Sequence, residues 1–205
     1  ISSHPDLDHL QGLEDVLRYL SVKAVFLPPL GLFAGGYETL LTLVEKEGCQ
    51  LVEVKTGDLL RLEEGLVMEI LNPPGEGLFF SSAVDNNHSL AVKLIHGTRE
   101  FLFAGDLEEE SLKYFVEKGL VQQTTVFKVP HHGSKTGYYV PFLDLLQPEA
   151  VIVSVGRNNF GHPAPEIISY WEEKNIPLYR TDQDGAVTVF SDGEKIKVGK
   201  FLGKE

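Results

Sequence analysis

Two imidazoles and two carboxylates fall within six positions near the start of the chain, in the run His4-Pro5-Asp6-Leu7-Asp8-His9. Neutral imidazole and carboxylate together suit zinc, manganese or iron, and at this spacing a short loop can turn all four groups toward one point. An Asp- and His-rich surface loop is the plain alternative. The order H-x-D-x-D-H, set directly before the helix-like run Leu10-Gln11-Gly12-Leu13, favours a metal site.

Further groups of the same chemistry stand where strand-like runs end, which is where α/β folds place their chemistry. Asp106 follows Phe101-Leu102-Phe103-Ala104 and Gly105. Taken alone it reads better as a helix cap, because Glu109 three residues on is close to a capping box. Only the other candidates make it a ligand. Lys128-Val129-Pro130-His131-His132-Gly133-Ser134-Lys135 follows a second such run. Neighbouring side chains on an extended segment point opposite ways, so one histidine of the pair coordinates metal while the other orders the loop or meets substrate. His131, first after the strand, is the preferred ligand. Gly133 permits a sharp turn in which Ser134 can hydrogen-bond.

In Arg157-Asn158-Asn159-Phe160-Gly161-His162-Pro163, His162 reads equally well as part of a polar loop entering a helix and as a proton donor or phosphate contact. His88, within Asp85-Asn86-Asn87-His88-Ser89, is a further candidate ligand in a segment that also suits a turn. His96 reads as a solvated turn residue, and Thr181-Asp182-Gln183-Asp184-Gly185 as turn chemistry.

The elements that must position these groups alternate between helix and strand periodicity. Helical spacing marks Glu14 to Leu20 and Tyr37 to Lys46, the latter ended by Gly48. Strand-like runs cover Lys23 to Leu27 and the segments 50–55, 59–62 and 66–71, and a Gly-, Pro- and Ser-rich loop spans 72–85. A hairpin over 96–99 joins 89–95 to 100–104, and a helix follows over 108–118. Strands at 124–129 and 150–155 alternate with helices at 140–146 and after Pro165, and strands near 177–180, 185–190 and 194–199 close the chain. This mixture predicts a layered α/β domain, with residues 1–205 as one unit.

Composition narrows the class. A hydrophobic content of 42% and a charged content of 23% describe an ordinary globular protein. No apolar run approaches the roughly 20 residues that span a bilayer. Cys49 is the only cysteine, so no intramolecular disulfide can form. The net charge of −12 argues against a broadly basic nucleic-acid surface but not against a local one, since bound cations would invert the field at the site. The start at Ile1-Ser2-Ser3 reads as the interior of a longer chain.

Together the runs Ser3 to His9, Asn86 to Leu90, Ala104 to Leu107, Lys128 to Lys135, Gly161 to Pro163 and Arg180 to Asp182 resemble the metallo-β-lactamase superfamily. Its signature is H-x-H-x-D-H, then Gly-Asp after a strand and further histidines. More closely, their order and spacing resemble the C-terminal domain of the ComEC family of competence DNA-uptake channels. The resemblance implies an αββα four-layer sandwich with metals at the edge between two sheets, here lacking its first strands. It implies two divalent metal ions, Mn or Zn, with Asp106 bridging and with His4, Asp6, Asp8, His9, His88 and one of His131 and His132 around them. Asp6 stands where the wider superfamily has its second histidine, which makes the site richer in oxygen and more tolerant of manganese.

The residues by themselves reach only a metal-dependent hydrolase. The resemblance implies a phosphodiesterase acting on DNA, single-stranded, that degrades the strand not imported in natural transformation. It also implies a cell-membrane protein with this domain extracytoplasmic, joined to the channel of the same polypeptide and working beside other competence proteins. Asp8 or Asp106 would orient the nucleophile, and His162 or His132 would protonate the leaving group. Lys128, Lys135 and Arg157 are the cations nearest in sequence for the backbone, with Ser134, Asn158 and His162 as polar substrate contacts. Two other readings stay open: a hydrolase of another phosphoester, such as a cell-wall phosphorylcholine ester, and a non-catalytic DNA-binding module with a degenerate metal site.

Overall fold

The structure, a computed structural model, describes residues 1–75 and 84–202. Helix α1 (Leu7–Tyr19), strand β1 (Ala24–Leu27), helix α2 (Glu38–Glu47) and strand β2 (Gln50–Glu53) come first. β1 and β2 pair in parallel, and both helices bury their apolar stripes, Leu10 and Leu17 on α1 and Leu40 and Val44 on α2, with Val25 and Leu27. Gly48 closes α2 in the left-handed conformation that glycine adopts without strain.

Seven strands then form one sheet in chain order: β3 (Leu59–Glu63), β4 (Leu66–Asn72), β5 (Ala91–His96), β6 (Arg99–Phe103), β7 (Val126–Lys128), β8 (Ala150–Val153) and β9 (Leu178–Arg180). β3 to β6 are antiparallel and β6 to β9 parallel. The parallel half needs crossovers, and helices supply them. α3 (Val84–Asn87) precedes β5, α4 (Glu109–Lys118) joins β6 to β7, α5 (Val140–Leu146) joins β7 to β8 and α6 (Pro165–Glu173) joins β8 to β9. A short helix α7 (Thr181–Asp184) leads to a hairpin of β10 (Val187–Ser191) and β11 (Ile196–Lys200).

The period-two alternation of the strands sorts their side chains onto two faces. Leu102, Phe127, Val151 and Val153 point to one face and build the main core with Leu112, Phe115, Phe142 and Trp171 from α4, α5 and α6. Phe101, Phe103, Val126, Lys128 and Ile152 point to the other, where they line an apolar groove beneath Val187 and Val189 of the β10–β11 hairpin. The β1–β2 pair covers the same face farther along, through Phe26 and Val52 against Met68, Ile70, Leu90 and Val92. The large sheet therefore has helices on one side and two small, mutually unpaired sheets on the other.

The predicted elements fall close to these bounds, with informative departures. Helix α1 begins at Leu7, not near Glu14, so Asp8 and His9 lie in its first turn and not in a loop. Leu7 is exposed and carried no periodic signal. Part of the loop read over 72–85 forms α3, and residues 76–83 lie outside the described ones. His96, expected to be solvated, is half-buried and hydrogen-bonds through Nδ1 to Ser191 Oγ at 3.1 Å.

Phe127 is wholly buried between Phe142 and Trp171. Phe127→Ala leaves a cavity the helices cannot close, and a loss of about 3–5 kcal/mol is expected in urea unfolding at equal metal content.

Candidate metal centre

The centre is assembled around a buried carboxylate. Asp106, 3% exposed, follows β6 by way of Gly105 and is not a helix cap. The N-cap of α4 is Glu108. The orphan donors at the start of α4 are met from outside, because Asn87 Oδ1 accepts from Glu108 N, Ser111 N and Ser111 Oγ. Asp106 is thereby left to face four imidazoles. His9 Nε2 lies 3.3 Å from its Oδ1, and the Nε2 atoms of His132, His4 and His131 lie 3.6, 3.9 and 3.9 Å from its Oδ2. Burial by itself would raise the Asp106 carboxyl, but the contact with His9 and the charges of His9, His4 and His132 outweigh it and hold the group well below the usual carboxylate range. Burial pushes the His4 ring below the ordinary imidazole value against the pull of Asp106, so the ring gives up its proton to a cation more readily.

Each ring is aimed by the hydrogen bond on its other nitrogen, the arrangement that metal-binding histidines require. His4 Nδ1 contacts Ser3 Oγ and Ser89 Oγ, both at 3.1 Å, and His9 Nδ1 contacts the same Ser3 Oγ at 3.1 Å. His132 Nδ1 donates to the Ser154 carbonyl at 2.8 Å, which leaves the Nε2 lone pair facing inward. His131 Nδ1 lies 3.1 Å from Glu108 Oε1. Ser89 Oγ also accepts the Asp106 N–H at 3.1 Å, so a single hydroxyl orders two members of the cluster.

Among the described residues, two groups of donors come within 4.8 Å of one another: His4, His9 and Asp106, and Asp8, His9 and His132. Their separations fit a cation. Ligands bound at about 2.1 Å around a tetrahedral ion lie about 3.4 Å apart. His9 Nε2 to His132 Nε2 is 3.2 Å, His132 Nε2 to Asp8 Oδ2 is 3.2 Å, and His9 Nε2 to Asp8 Oδ2 is 3.7 Å. Moreover, His4 Nε2 and Asp106 Oδ1 are buried polar atoms without a hydrogen-bond partner, a costly state that a bound cation relieves. Asp6 occupies the N-cap position of α1 yet makes no capping bond with its side chain, and its Oδ2 lies 3.5 Å from His4 Nε2.

The histidine pair corrects the expected geometry. His131 and His132 are not extended but take left-handed φ values of 47° and 52°. The turn therefore sends both rings toward Asp106, and His132, not the preferred His131, joins the close group. Gly133, at φ 81°, sits so near Pro163 that a Cβ would lie 2.6 Å from it. His88 is buried with Nδ1 on the Val84 carbonyl at 2.7 Å, and it belongs to neither close group.

The residues assigned to substrate divide. Arg157, Asn158 and His162 share a cavity of about 500 Å³ with Asp8 and His132. Lys128 is half-buried on the inner sheet face, where with His132 and Ser154 it lines an apolar groove of about 550 Å³. Burial lowers its amine pKa against the pull of Asp106. Ser134 is buried and accepts from Thr136 N, so it serves its own turn, and Lys135 pairs with Glu166 at 3.1 Å. Ser3, Ser89, Ser154 and Glu108, which orient the rings, carried no signal of their own in the sequence.

A layered α/β fold with histidines and a carboxylate gathered beyond its strand ends has the donor set of a metal-dependent enzyme. The chain belongs to the Metallo-beta-lactamase superfamily, whose sequence model matches residues 1–157. It is similar to ComE operon protein 3 of Bacillus subtilis (strain 168), at 31% identity over 91% of this chain and 24% of that protein. It is also similar to competence protein ComA of Neisseria gonorrhoeae, at 28% identity over 91% of this chain and 24% of that protein. The chain thus spans about a quarter of the length of these relatives. Among solved structures, CmlA, a diiron beta-hydroxylase from Streptomyces venezuelae, superposes with a TM-score of 0.61 over 97% of this chain and 44% of that one. At 13% identity that likeness shows the fold alone. Superfamily membership points to a divalent-metal centre and to a metal-dependent hydrolase. No helix among the described residues is long and apolar enough to cross a membrane.

Ser89→Ala removes the hydroxyl shared by His4 and Asp106, and metal affinity measured by competition with a chelating dye is expected to fall about 10–100-fold. Stripping the metal should lower the melting temperature, and readdition should restore it, with a further rise that follows the logarithm of free metal concentration above the dissociation constant. In His4→Ala and Asp106→Ala the chelator-dependent shift should shrink.

Proposed function

We propose that this domain is a two-cation phosphodiesterase that cleaves single-stranded DNA during natural transformation. The observation that carries the reading is the placement of the donor cluster. Asp8 and His132 belong at once to the cation-binding group and to the wall of a cavity that also holds Arg157, Asn158 and His162. A phosphate in that cavity would lie beside the residues that would hold the cations and beside the Arg157 guanidinium, so the global charge of −12 does not oppose its binding there.

His4, Asp6, Asp8, His9, His132 and Asp106 would hold the cations; manganese and zinc both suit this donor set, and the three carboxylates favour manganese. When bound, such a pair would supply a lowered water pKa and charge neutralisation at the phosphate oxygens. The chain supplies the rest. Asp8, exposed on the first turn of α1, orients the attacking oxygen. Arg157 grips the backbone, Lys128 balances negative charge from the groove side, and His162 donates a proton to the leaving oxygen. His131, held by Glu108 and packed 5.6 Å from His162, positions that ring.

The similarity to competence proteins supports DNA as the substrate and degradation of the non-imported strand as the role. In this reading the domain is the extracytoplasmic part of a longer cell-membrane protein, fused to the channel it serves and working with other competence proteins. The aimed rings and unpaired buried donors favour a working centre over a degenerate binding module.

Purified protein given single-stranded DNA and manganese should cleave it, and His4→Ala and Asp106→Ala should abolish cleavage. Absence of metal-dependent cleavage in the longer polypeptide would refute the reading, and cleavage of bis-p-nitrophenyl phosphate without DNA cleavage would indicate another phosphoester. For the proton donor, His162→Ala should lower kcat on DNA by about 10²-fold or more. On bis-p-nitrophenyl phosphate, whose leaving group needs no proton, the same variant should lose little.

A further inference from the structure

The loop between β8 and α6 carries an aromatic ring that this mechanism leaves unused. Phe160 is 82% exposed. Single exposed apolar side chains are ordinary, but this one differs in how it is held. Its ring stacks on His162 with centroids 5.8 Å apart and planes 25° from parallel, while His162 meets His131 at 5.6 Å. The loop is also locked from within by Asn158. The amide nitrogen of Asn158 donates to the Gly156 and His162 carbonyls, and its oxygen accepts the N–H of Phe160 and of His162. Those four bonds fill the hydrogen-bonding capacity of the side chain, so Asn158 shapes the loop and does not read substrate. Ordering a loop to hold an aromatic ring in water costs entropy and buries little apolar surface in return. Phe160 also lines the cavity that contains Asp8, His132 and Arg157.

We propose that Phe160 is a stacking platform for a nucleobase beside the scissile phosphate, and that it makes the site select unpaired strands. The inference rests on the reading of the domain as a DNA phosphodiesterase. A base in a duplex has both faces covered by its neighbours, whereas an unpaired base can leave the stack and lie on Phe160. His162 backs the platform, and Arg157 in the same cavity serves the adjoining phosphate. Every base has a π face, so recognition of this kind tolerates any sequence. The saturated Asn158 has no free hydrogen-bonding group with which to read base edges, which agrees with stacking that tolerates any sequence.

The test compares binding of two labelled, phosphorothioate-linked strands of about 12 units to the metal-loaded protein by fluorescence anisotropy, one of thymidine and one of abasic sugars. Wild type should prefer the thymidine strand on the order of tenfold, the scale that stacking on one aromatic ring gives. Phe160→Ala should bring the ratio near one, Phe160→Trp should keep or raise it, and Asn158→Ala should lower it although the ring is still present. A ratio that survives in Phe160→Ala, or a wild-type protein that binds both strands equally, overturns the proposal while the nuclease reading still stands on its cleavage assay. Discrimination abolished by Phe160→Ala in a protein that cleaves no DNA sustains the platform and removes the nuclease. Binding of neither strand removes both.

Discussion

A carboxylate buried as deeply as Asp106 must be compensated, and much of the structure follows from that requirement. An unpaired charge in this position would cost several kcal/mol. The chain answers with four rings from two separate segments, His4 and His9 from one and His131 and His132 from the other, all within 3.9 Å of the carboxylate. Bringing them there demands close backbone approach. Gly105 adopts φ 54°, and a Cβ at that position would lie 2.7 Å from Ser89 Cβ. The His131 N–H donates to the Gly105 carbonyl, tying the turn after β7 to the turn after β6. Ser2 and Ser3 strap the first residues between Phe26 of β1 and Leu90 ahead of β5.

The sheet decides where this cluster can stand. Its parallel half runs β6, β7, β8, β9, and the turns after β6, β7 and β8 supply Asp106, the histidine pair and the Arg157–His162 loop. Parallel neighbours end on the same side, so three turns distant in sequence become adjacent, the usual reason for sites at the carboxyl ends of such strands. The antiparallel half lacks that property and contributes breadth to the core. The same sheet gives the site two unlike approaches. One runs past Arg157, His162 and the exposed Phe160, and the other is a groove floored by Phe103 and Lys128.

Much of the fold was legible because helix and strand periods are long and repetitive. The strands near 66–71, 100–104 and 150–155 and the helices at 108–118 and 140–146 were readable to within about two residues of the bounds found. Helix α1 was misplaced at its start because its first turn is made of chemistry, Leu7-Asp8-His9, with Leu7 exposed and no apolar stripe to mark it. Asp106 looked like a cap because a local motif cannot reveal that Asn87, twenty-one residues from Glu108, already performs the capping. The ring-aiming roles of Ser3, Ser89 and Ser154 were not legible, because a hydroxyl or a backbone carbonyl that orients an imidazole leaves no spacing rule behind.

The sequence alone determined which groups could do the chemistry. His4, Asp6, Asp8 and His9 are close along the chain, and Asp106 and the histidine pair follow apolar runs that cannot avoid being strands. Short-range spacing and hydrophobic period suffice for that much. Only the tertiary structure decided which donors share a point. His9 and His132 meet at 3.2 Å across 123 residues, and His132 rather than His131 joins the close group because both backbones turn left-handed. Nothing in a hydrophobic pattern encodes the sign of φ in a two-histidine turn or the separation of two side chains brought together by different strands. That geometry exists only once the sheet has closed and the buried charge of Asp106 has drawn its partners in.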